Sequence, residues 1–116
     1  MVLHLEEIVV DCHDFSALGH WWAEALGWPI VGEYDGELEL QQADGSHPTL
    51  LFLNVPEPKT IKNRLHLDFV PDDQAAEVER LVALGARRVD IGQGEKSWVV
   101  LADPEGNEFC VLSARG

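Results

Sequence analysis

Two short stretches of the sequence carry side chains that can move protons or bind a metal. His66 and Asp68 lie two residues apart in the segment Arg64–Val70. Glu108 and Cys110 have the same spacing near the C-terminus. In a strand this spacing places both side chains of a pair on one face, and an imidazole near a carboxylate can act as a general acid or base or join a metal site. The candidate catalytic residues are His66 and Glu108, and the candidate pocket residues beside them are Asp68 and Cys110.

A β-hairpin is predicted to hold the C-terminal pair. Residues 103–106, Asp-Pro-Glu-Gly, have proline second and glycine fourth, which is typical of a type I turn. Extended runs lie on both sides of this turn, at Ser97–Ala102 and Asn107–Ser113. Alternation along the second arm directs Phe109 to one face and both Glu108 and Cys110 to the other. A carboxylate and a thiol beside apolar neighbours indicate a cavity on that second face.

The strand predicted at Arg64–Val70 alternates in the same way. Its apolar residues share one face, which is expected to pack under the following helix: Leu65, Leu67 and Phe69. His66 and Asp68 then project from the opposite face, toward the same cavity. The alternative is a cavity-lining histidine that is held by one hydrogen bond and takes part in no reaction.

One order of elements occurs twice along the chain. A helix that begins after Asp14 and ends at Gly27 has a counterpart that begins after Asp72 or Asp73 and ends at Gly85. The landmarks are 58 residues apart, since 72 − 14 = 58 for the caps and 84 − 26 = 58 for the leucines before each glycine. The predicted strands of the first copy are Glu6–Cys12, Trp28–Glu33, Glu37–Gln42 and Thr49–Val55, and those of the second are Arg64–Val70, Ala86–Ile91, Ser97–Ala102 and Asn107–Ser113.

This repeat predicts an α+β fold of two tandem βαβββ modules that form a cupped mixed β-sheet with the helices on its outer face. Module 1 is assigned to residues 1–55, a linker to 56–63 and module 2 to 64–116, together one domain. A ferredoxin-like β-α-β-β-α-β sandwich is the rival architecture, but it supplies too few strands.

Composition restricts the partners and the compartment. The chain has 116 residues and a formal net charge of −13, and residues 1–58 contain eleven acidic side chains and no Lys or Arg. Such a surface repels nucleic acid and anionic membranes, so neither is expected as a partner. No apolar run of membrane-spanning length and no export signal is visible, which favours a cytoplasmic protein. Cys12 and Cys110 are then expected to remain thiols.

Two stretches of the sequence resemble the vicinal oxygen chelate superfamily. One is the C-terminal hairpin, with the sequence Asp-Pro-Glu-Gly-Asn-Glu-Phe, and the other is the segment Arg-Leu-His-Leu-Asp at residues 64–68. This superfamily includes glyoxalases, epimerases, extradiol dioxygenases and bleomycin-resistance proteins. The chain is most similar to its small glyoxalase-like domain branch. The resemblance implies a small-molecule pocket inside the cup and a homodimer.

The resemblance also bears on a metal. Metal-dependent members place ligands at four symmetry-related strand positions, two in each copy. His66 occupies one such position, and Cys110 stands where a glutamate is usual. Subtracting 58 leads to Ile8 and Phe52, which cannot bind a metal, whereas a slip of one residue brings in Glu7. The metal site is therefore expected to be degenerate, with no cofactor assigned. A remaining set of His66, Cys110 and Glu7, or Glu108 in place of Glu7, would suit zinc.

Apolar pocket walls are predicted at Trp98 and Phe52, the latter as the counterpart of Cys110. Trp98 offers a flat surface for a ring-shaped ligand, and its alternatives are ordinary packing or a dimer contact. Trp22 lies on the apolar stripe of its helix and is expected in the core. Three basic side chains near the linker could anchor an anionic ligand, meet a second subunit or remain solvated: Lys59, Lys62 and Arg64.

Three functions remain open at this point. The protein could bind a small organic compound without a metal. It could be a lyase or isomerase in which His66 and Glu108 move protons. It could also be a metal-dependent lyase, isomerase or dioxygenase of the same superfamily, with His66 and Cys110 as ligands.

Overall fold

The computed structural model describes residues 2–89 and 97–114. The chain divides into two compact units, Met1–Pro58 (unit 1) and Lys59–Gly116 (unit 2). Within the described residues each unit has one helix and one four-stranded mixed sheet. The predicted α+β class and the βαβββ order of both copies are confirmed. No helix in the described part of the chain is long and apolar enough to cross a membrane.

Unit 1 builds its sheet in the order β1-β4-β3-β2. The first and last strands of the unit pair in parallel, and the remaining pairs are antiparallel. The elements of unit 1 are β1 (Glu7–Cys12), α1 (Phe15–Leu26), β2 (Ile30–Tyr34), β3 (Glu37–Leu40) and β4 (Thr49–Asn54).

Helix α1 begins and ends where its sequence predicts. The Asp14 side chain accepts a hydrogen bond from the backbone N–H of Ala17 at 3.0 Å, which satisfies one of the unpaired donors of the first turn. Gly27 ends the helix in the left-handed region at φ 70°, a conformation that costs glycine little. The apolar stripe of α1 is buried, and Trp22 is a core residue as predicted.

A close approach of α1 to the sheet identifies the face of unit 1 that the helix covers. A Cβ at Gly19 would lie only 2.7 Å from Leu38 Cδ2, so the Leu38 side chain faces α1. Phe52 is the cross-strand partner of Leu38 and is 1% exposed. Since partners in register project from the same face, Phe52 belongs to the core between sheet and helix.

Unit 2 repeats this arrangement with the strand order β5-β8-β7-β6. Its first and last strands again pair in parallel. The elements of unit 2 are β5 (Leu67–Phe69), α2 (Gln74–Leu84), β6 (Arg87–Arg88), β7 (Val99–Ala102) and β8 (Glu108–Val111). Part of the strand predicted at Ala86–Ile91 lies outside the described residues.

The N-cap of α2 corrects the spacing of the repeat. Asp73, not Asp72, accepts the capping hydrogen bond, from Ala76 N at 3.1 Å. The caps are therefore 59 residues apart (73 − 14 = 59), and α2 has 11 residues where α1 has 12. With this offset, the counterpart of His66 is Glu7, that of Val111 is Phe52 and that of Cys110 is Leu51. The prediction of Phe52 as a pocket residue opposite Cys110 depended on an offset of 58 and is wrong.

Strand β5 is shorter than predicted. It starts at Leu67, where pairing with Phe109 of β8 begins, so His66 directly precedes the strand. Leu65, expected under α2, is 84% exposed because it lies before the first paired residue. The predicted C-terminal hairpin is confirmed, since β7 and β8 pair antiparallel.

The turn between β7 and β8 is organised by a buried carboxylate. Asp103 is 1% exposed, and its Oδ1 accepts hydrogen bonds from the backbone N–H groups of Glu105 and Asn107, both at 2.9 Å. The Asn107 amide donates to Oδ2 at 3.0 Å. These bonds satisfy the backbone donors of the tight turn, in which Gly106 has φ 90°.

Candidate functional site

Three side chains of unit 2 that can bind metals or move protons come together: His66, Asp68 and Cys110. Asp68 and Cys110 are partners in the parallel pairing of β5 with β8, so their side chains project from one face of the sheet. His66 Nε2 lies 3.3 Å from Asp68 Oδ1. One donor atom of each of the three residues lies within 4.8 Å of the others. The structure therefore joins three of the residues predicted from the sequence.

The cluster is accessible on one side and covered on the other. The side chains of His66 and Asp68 are 42% and 47% exposed, whereas Cys110 is 3% exposed. Because Asp68 is open to solvent, the face that carries the cluster is not the face under α2; we call it the far face of the unit 2 sheet. The opposite face is apolar and contains the edge-to-face pair of Phe69 and Phe109.

The Cys110 thiol is held in its neutral form. Burial raises the pKa of Cys110 to about 11, and the negative charge of Asp68 and a hydrogen bond to its carboxylate act in the same direction. The Lys62 ammonium opposes this rise. At neutral pH the side chain is therefore a thiol that donates to Asp68, rather than a nucleophilic thiolate.

The carboxylate of Glu108 contacts the segment that leads into β5. Its Oε2 lies 3.0 Å from Lys59 Nζ, and its Oε1 accepts a hydrogen bond from Asn63 N at 2.9 Å. Burial by itself would raise the pKa of Glu108, but the Asn63 N–H and the Lys59 ammonium outweigh it, and the pKa is lowered. The carboxylate thus anchors the segment that leads into β5. A proton-transfer role for Glu108 remains a prediction.

The other predicted residues occupy separate places. Trp98 is half-buried and directly precedes β7. The sequence predicts it within the hairpin strand, but that strand begins one residue later, at Val99. Glu7 lies on β1 of unit 1, where its Oε2 is 3.4 Å from the hydroxyl of Thr49. That hydroxyl also donates to Glu39 at 2.9 Å. A ligand set of His66, Cys110 and Glu7 would draw on both units and remains a prediction.

The donor set of the cluster can be compared with the metal that the resemblance implies. An imidazole nitrogen, a carboxylate oxygen and a thiolate sulfur are the donors that zinc accepts, at bond lengths of about 2.0–2.3 Å. In a tetrahedral site these donors would be about 3.3–3.6 Å apart. The three atoms lie within 4.8 Å of one another, so their longest separation needs to shorten by roughly an ångström at most. The cluster therefore fits zinc and does not match an oxygen-rich, six-coordinate site.

Sequence reasoning missed two features near the cluster. Lys62, assigned to the linker, acts electrostatically on Cys110. Lys59 and Asn63 bind Glu108, 49 and 45 residues away in sequence. No periodicity or spacing signal could have identified these pairs, because they depend on how the segment before β5 crosses the end of β8.

Fold and cluster define the class to which the protein belongs. The chain has two βαβββ units, one after the other. Polar donors lie on the strand that opens the second unit and on the strand that closes it. This is the architecture of the vicinal oxygen chelate superfamily. The sequence model of the glyoxalase-like domain family matches residues 7–112, and the chain belongs to this family. No curated protein sequence matches the chain.

Several solved structures share the fold. A glyoxalase/bleomycin resistance protein/dioxygenase family enzyme from Burkholderia phytofirmans PsJN is 18% identical with a TM-score of 0.74, over 97% of this chain and 100% of that one. The fosfomycin resistance protein FosX from Mesorhizobium loti is 16% identical with a TM-score of 0.73, over 97% and 92%. A glyoxalase-related enzyme from Fulvimarina pelagi is 18% identical with a TM-score of 0.72, over 97% and 88%. At these identities the similarity concerns the fold.

Proposed function

We propose that the protein binds or transforms a small organic compound at the far face of the unit 2 sheet, in contact with His66, Asp68 and Cys110. The observation that carries this proposal is the convergence of an accessible imidazole and carboxylate over a buried thiol. The enzymes among the solved structures of the same fold support a reaction rather than binding alone.

The cluster supplies distinct polar functions to such a compound. His66 can accept or donate a proton, and its Nε2 lies 3.3 Å from Oδ1 of Asp68. Cys110 is a neutral donor, since its pKa is about 11. Val100, the cross-strand partner of Cys110, adds an apolar side chain on the same face. Hydrogen-bonding groups beside an apolar one suit an organic molecule with a polar group at one end. If the protein is an enzyme, a lyase or isomerase reaction based on proton transfer by His66 is the one this arrangement supports.

A ligand screen with matched variants tests the proposal. Thermal unfolding is recorded against a library of ring-containing and polar organic compounds, since a compound at a hundred times its dissociation constant stabilises the protein by ~2.7 kcal/mol. We expect the shift given by a hit compound to disappear in His66→Ala and to persist in His20→Ala. His20 is a matched control because it is also a half-exposed histidine paired with a carboxylate, at 3.0 Å from Glu33. A shift that survives in His66→Ala would reject the site.

The second candidate is a metal-dependent lyase, isomerase or dioxygenase, favoured by the three donor types in the cluster. A zinc ion held there would polarise a bound oxygen of the substrate as a Lewis acid. Metal analysis of protein purified without a histidine tag distinguishes the two candidates. A stoichiometric divalent metal supports the second, and a trace amount supports a metal-free binding site.

We also propose that module 1 (residues 1–55), the linker (56–63) and module 2 (64–116) form a single functional domain. We further propose that the protein is a homodimer and that it is located in the cytoplasm. The charge distribution supports a self-association that depends on salt, because residues 1–58 carry a net charge of −11 while Lys62 and Arg64 are exposed. Light scattering at low and high salt tests this proposal. A monomer at both salt concentrations would contradict the dimer.

A further inference from the structure

We propose that Lys62 selects an anionic ligand for the far face of the unit 2 sheet. The ligand is a small organic acid whose carboxylate or phosphate-type group contacts the Lys62 ammonium, while an uncharged polar group of the same molecule contacts His66 and Asp68. This inference rests on the proposed function and deepens it, because it names the class of compound and the residue that recognises it.

The backbone on both sides of Lys62 is held in place. On one side, the Lys59 ammonium binds the carbonyl oxygen of Ile61. On the other side, Asn63 donates twice to Glu108, from its backbone N–H to Oε1 at 2.9 Å and from its side-chain amide to the backbone carbonyl oxygen at 3.3 Å. Since Lys59 also pairs with Glu108, one residue organises both attachments. Lys62 therefore has a fixed position beside the start of β8.

This position lies next to the cluster. Glu108 and Cys110 are two residues apart on β8, so their side chains project from the same face of the sheet. Burial raises the pKa of Cys110, and the positive charge of Lys62 acts on the thiol in the opposite direction. The charge of Lys62 therefore reaches the far face, where His66 and Asp68 lie.

The Lys62 ammonium is available to a ligand. Lys62 is exposed, and in the part of the chain that the structure describes it forms no hydrogen bond or ion pair through its side chain. By contrast, Lys59 is engaged by its ion pair with Glu108. An exposed and unpaired ammonium on a fixed backbone is suited to binding an anionic oxygen group.

The local charge balance shows why an anionic ligand needs a lysine here. The chain carries a net charge of −13, and the carboxylate of Asp68 lies in the cluster itself. Such a surface repels an organic anion, most strongly at low salt. Lys62 offsets the charge of Asp68 and gives the anion a local partner. Asp68 and a neutral His66 can both accept a hydrogen bond, so they favour a hydroxyl or an amide elsewhere on the ligand.

Three probes with the same α-hydroxybenzyl group test the inference. Mandelate carries a carboxylate, α-hydroxybenzylphosphonate carries a phosphonate, and mandelamide is uncharged. Their affinities for the full chain are measured by isothermal titration calorimetry. We expect at least one acid to bind about tenfold more tightly than the amide, which is the lower end of the gain from a hydrogen bond to a charged group. The acid that binds more tightly distinguishes a carboxylate ligand from a phosphate-type ligand.

Matched variants assign the preference to Lys62. Lys62→Gln should remove the preference for the acid, and Lys62→Arg, which keeps the charge, should retain it. Arg88→Gln removes the same formal charge from β6, at the opposite edge of the unit 2 sheet from β5, and should leave the preference unchanged. The amide should bind Lys62→Gln as it binds the wild type, which verifies that this variant is folded.

Three results would overturn the proposal: equal affinities of the wild type for the acids and the amide, no measurable affinity for either acid, or a preference that Lys62→Gln leaves unchanged. Salt gives a measurement that needs no variant. The affinity for the acid should fall as salt rises while that for the amide stays constant, and an acid affinity independent of salt would count against the ammonium contact.

His66→Ala separates this inference from the proposed function. Acids that bind His66→Ala as tightly as the wild type, but lose affinity in Lys62→Gln, would reject the site at His66 and retain the contact with Lys62. Compounds that lose affinity in His66→Ala, but not in Lys62→Gln, would reject the present inference alone.

Discussion

Substitution of Asp68 by asparagine should make the Cys110 thiol more reactive. The pKa of Cys110 is raised from 9.0 to about 11 by burial, by the charge of Asp68 and by the hydrogen bond to its carboxylate. The amide side chain would lack the charge and could not stabilise the neutral thiol as well, whereas the burial would remain. The pKa should therefore fall but stay above 9.0.

The size of the effect has an upper bound. If the pKa of Cys110 fell all the way to 9.0, the thiolate fraction at pH 8 would rise about a hundredfold, from about one in a thousand to about one in ten. Intrinsic nucleophilicity falls as the pKa falls, with a Brønsted coefficient of about 0.4–0.5, so each tenfold gain in thiolate gives a net gain in rate of only about threefold. The alkylation rate of Asp68→Asn should thus be several-fold higher than in the parent protein, and at most about tenfold.

The assay is alkylation by iodoacetamide at fixed pH, followed by mass spectrometry, in a Cys12→Ala background so that Cys110 is the only thiol. Lys62→Ala provides a control of opposite sign. The Lys62 charge lowers the pKa of Cys110, so its removal should slow alkylation. An unchanged or slower rate in Asp68→Asn, with native circular dichroism, would refute the electrostatic account of the cluster, and so would a faster rate in Lys62→Ala.

Three further predictions concern stability, each measured by urea denaturation. Glu108→Gln should lower the free energy of unfolding by about 1–3 kcal/mol, because the contacts of Glu108 with Lys59 and Asn63 are largely buried. The wild-type protein should lose this stabilisation as the pH falls below 4.5 and through the lowered pKa of Glu108. If the variant showed the same loss of stability in acid as the wild type, Glu108 would not be the source of it. Asp103→Ala should cost about 3 kcal/mol, since it removes the acceptor of two backbone N–H groups in the turn; a neutral effect would show that water replaces the carboxylate. Gly19→Ala should cost about 1–3 kcal/mol through its clash with Leu38, and the double variant with Leu38→Ala should show less than the sum of the two single effects.

Local sequence signals predicted most of the fold. Caps at Asp14 and Gly27 bounded α1, and the turn at residues 103–106 fixed the C-terminal hairpin. These features depend on neighbours within a few residues, so they can be read along the chain. The repeat was also visible, but its spacing of 58 holds only for the helix ends; the N-caps are 59 residues apart because α2 is one residue shorter than α1. Because strand faces alternate with a period of two, this single-residue error moved Phe52 from the helix side to the predicted pocket side.

The candidate site was predictable only in part. The two-residue spacing of His66 with Asp68 was readable, and the hairpin turn identified Cys110. The contact between the two strands was not, because it depends on the register of β5 against β8. The role of Glu108 depends on the path of residues 59–63, which carry no regular pattern. Alternation placed Glu108 and Cys110 on one face but could not show that one side chain binds Lys59 and the other binds Asp68.

The most direct test of the site is a crystal structure of the wild-type protein with the tightest compound from the ligand screen. The account predicts electron density for the compound on the far face of the unit 2 sheet, within hydrogen-bonding distance of His66 or Asp68. A compound bound elsewhere, with no contact to His66, Asp68 or Cys110, would contradict it.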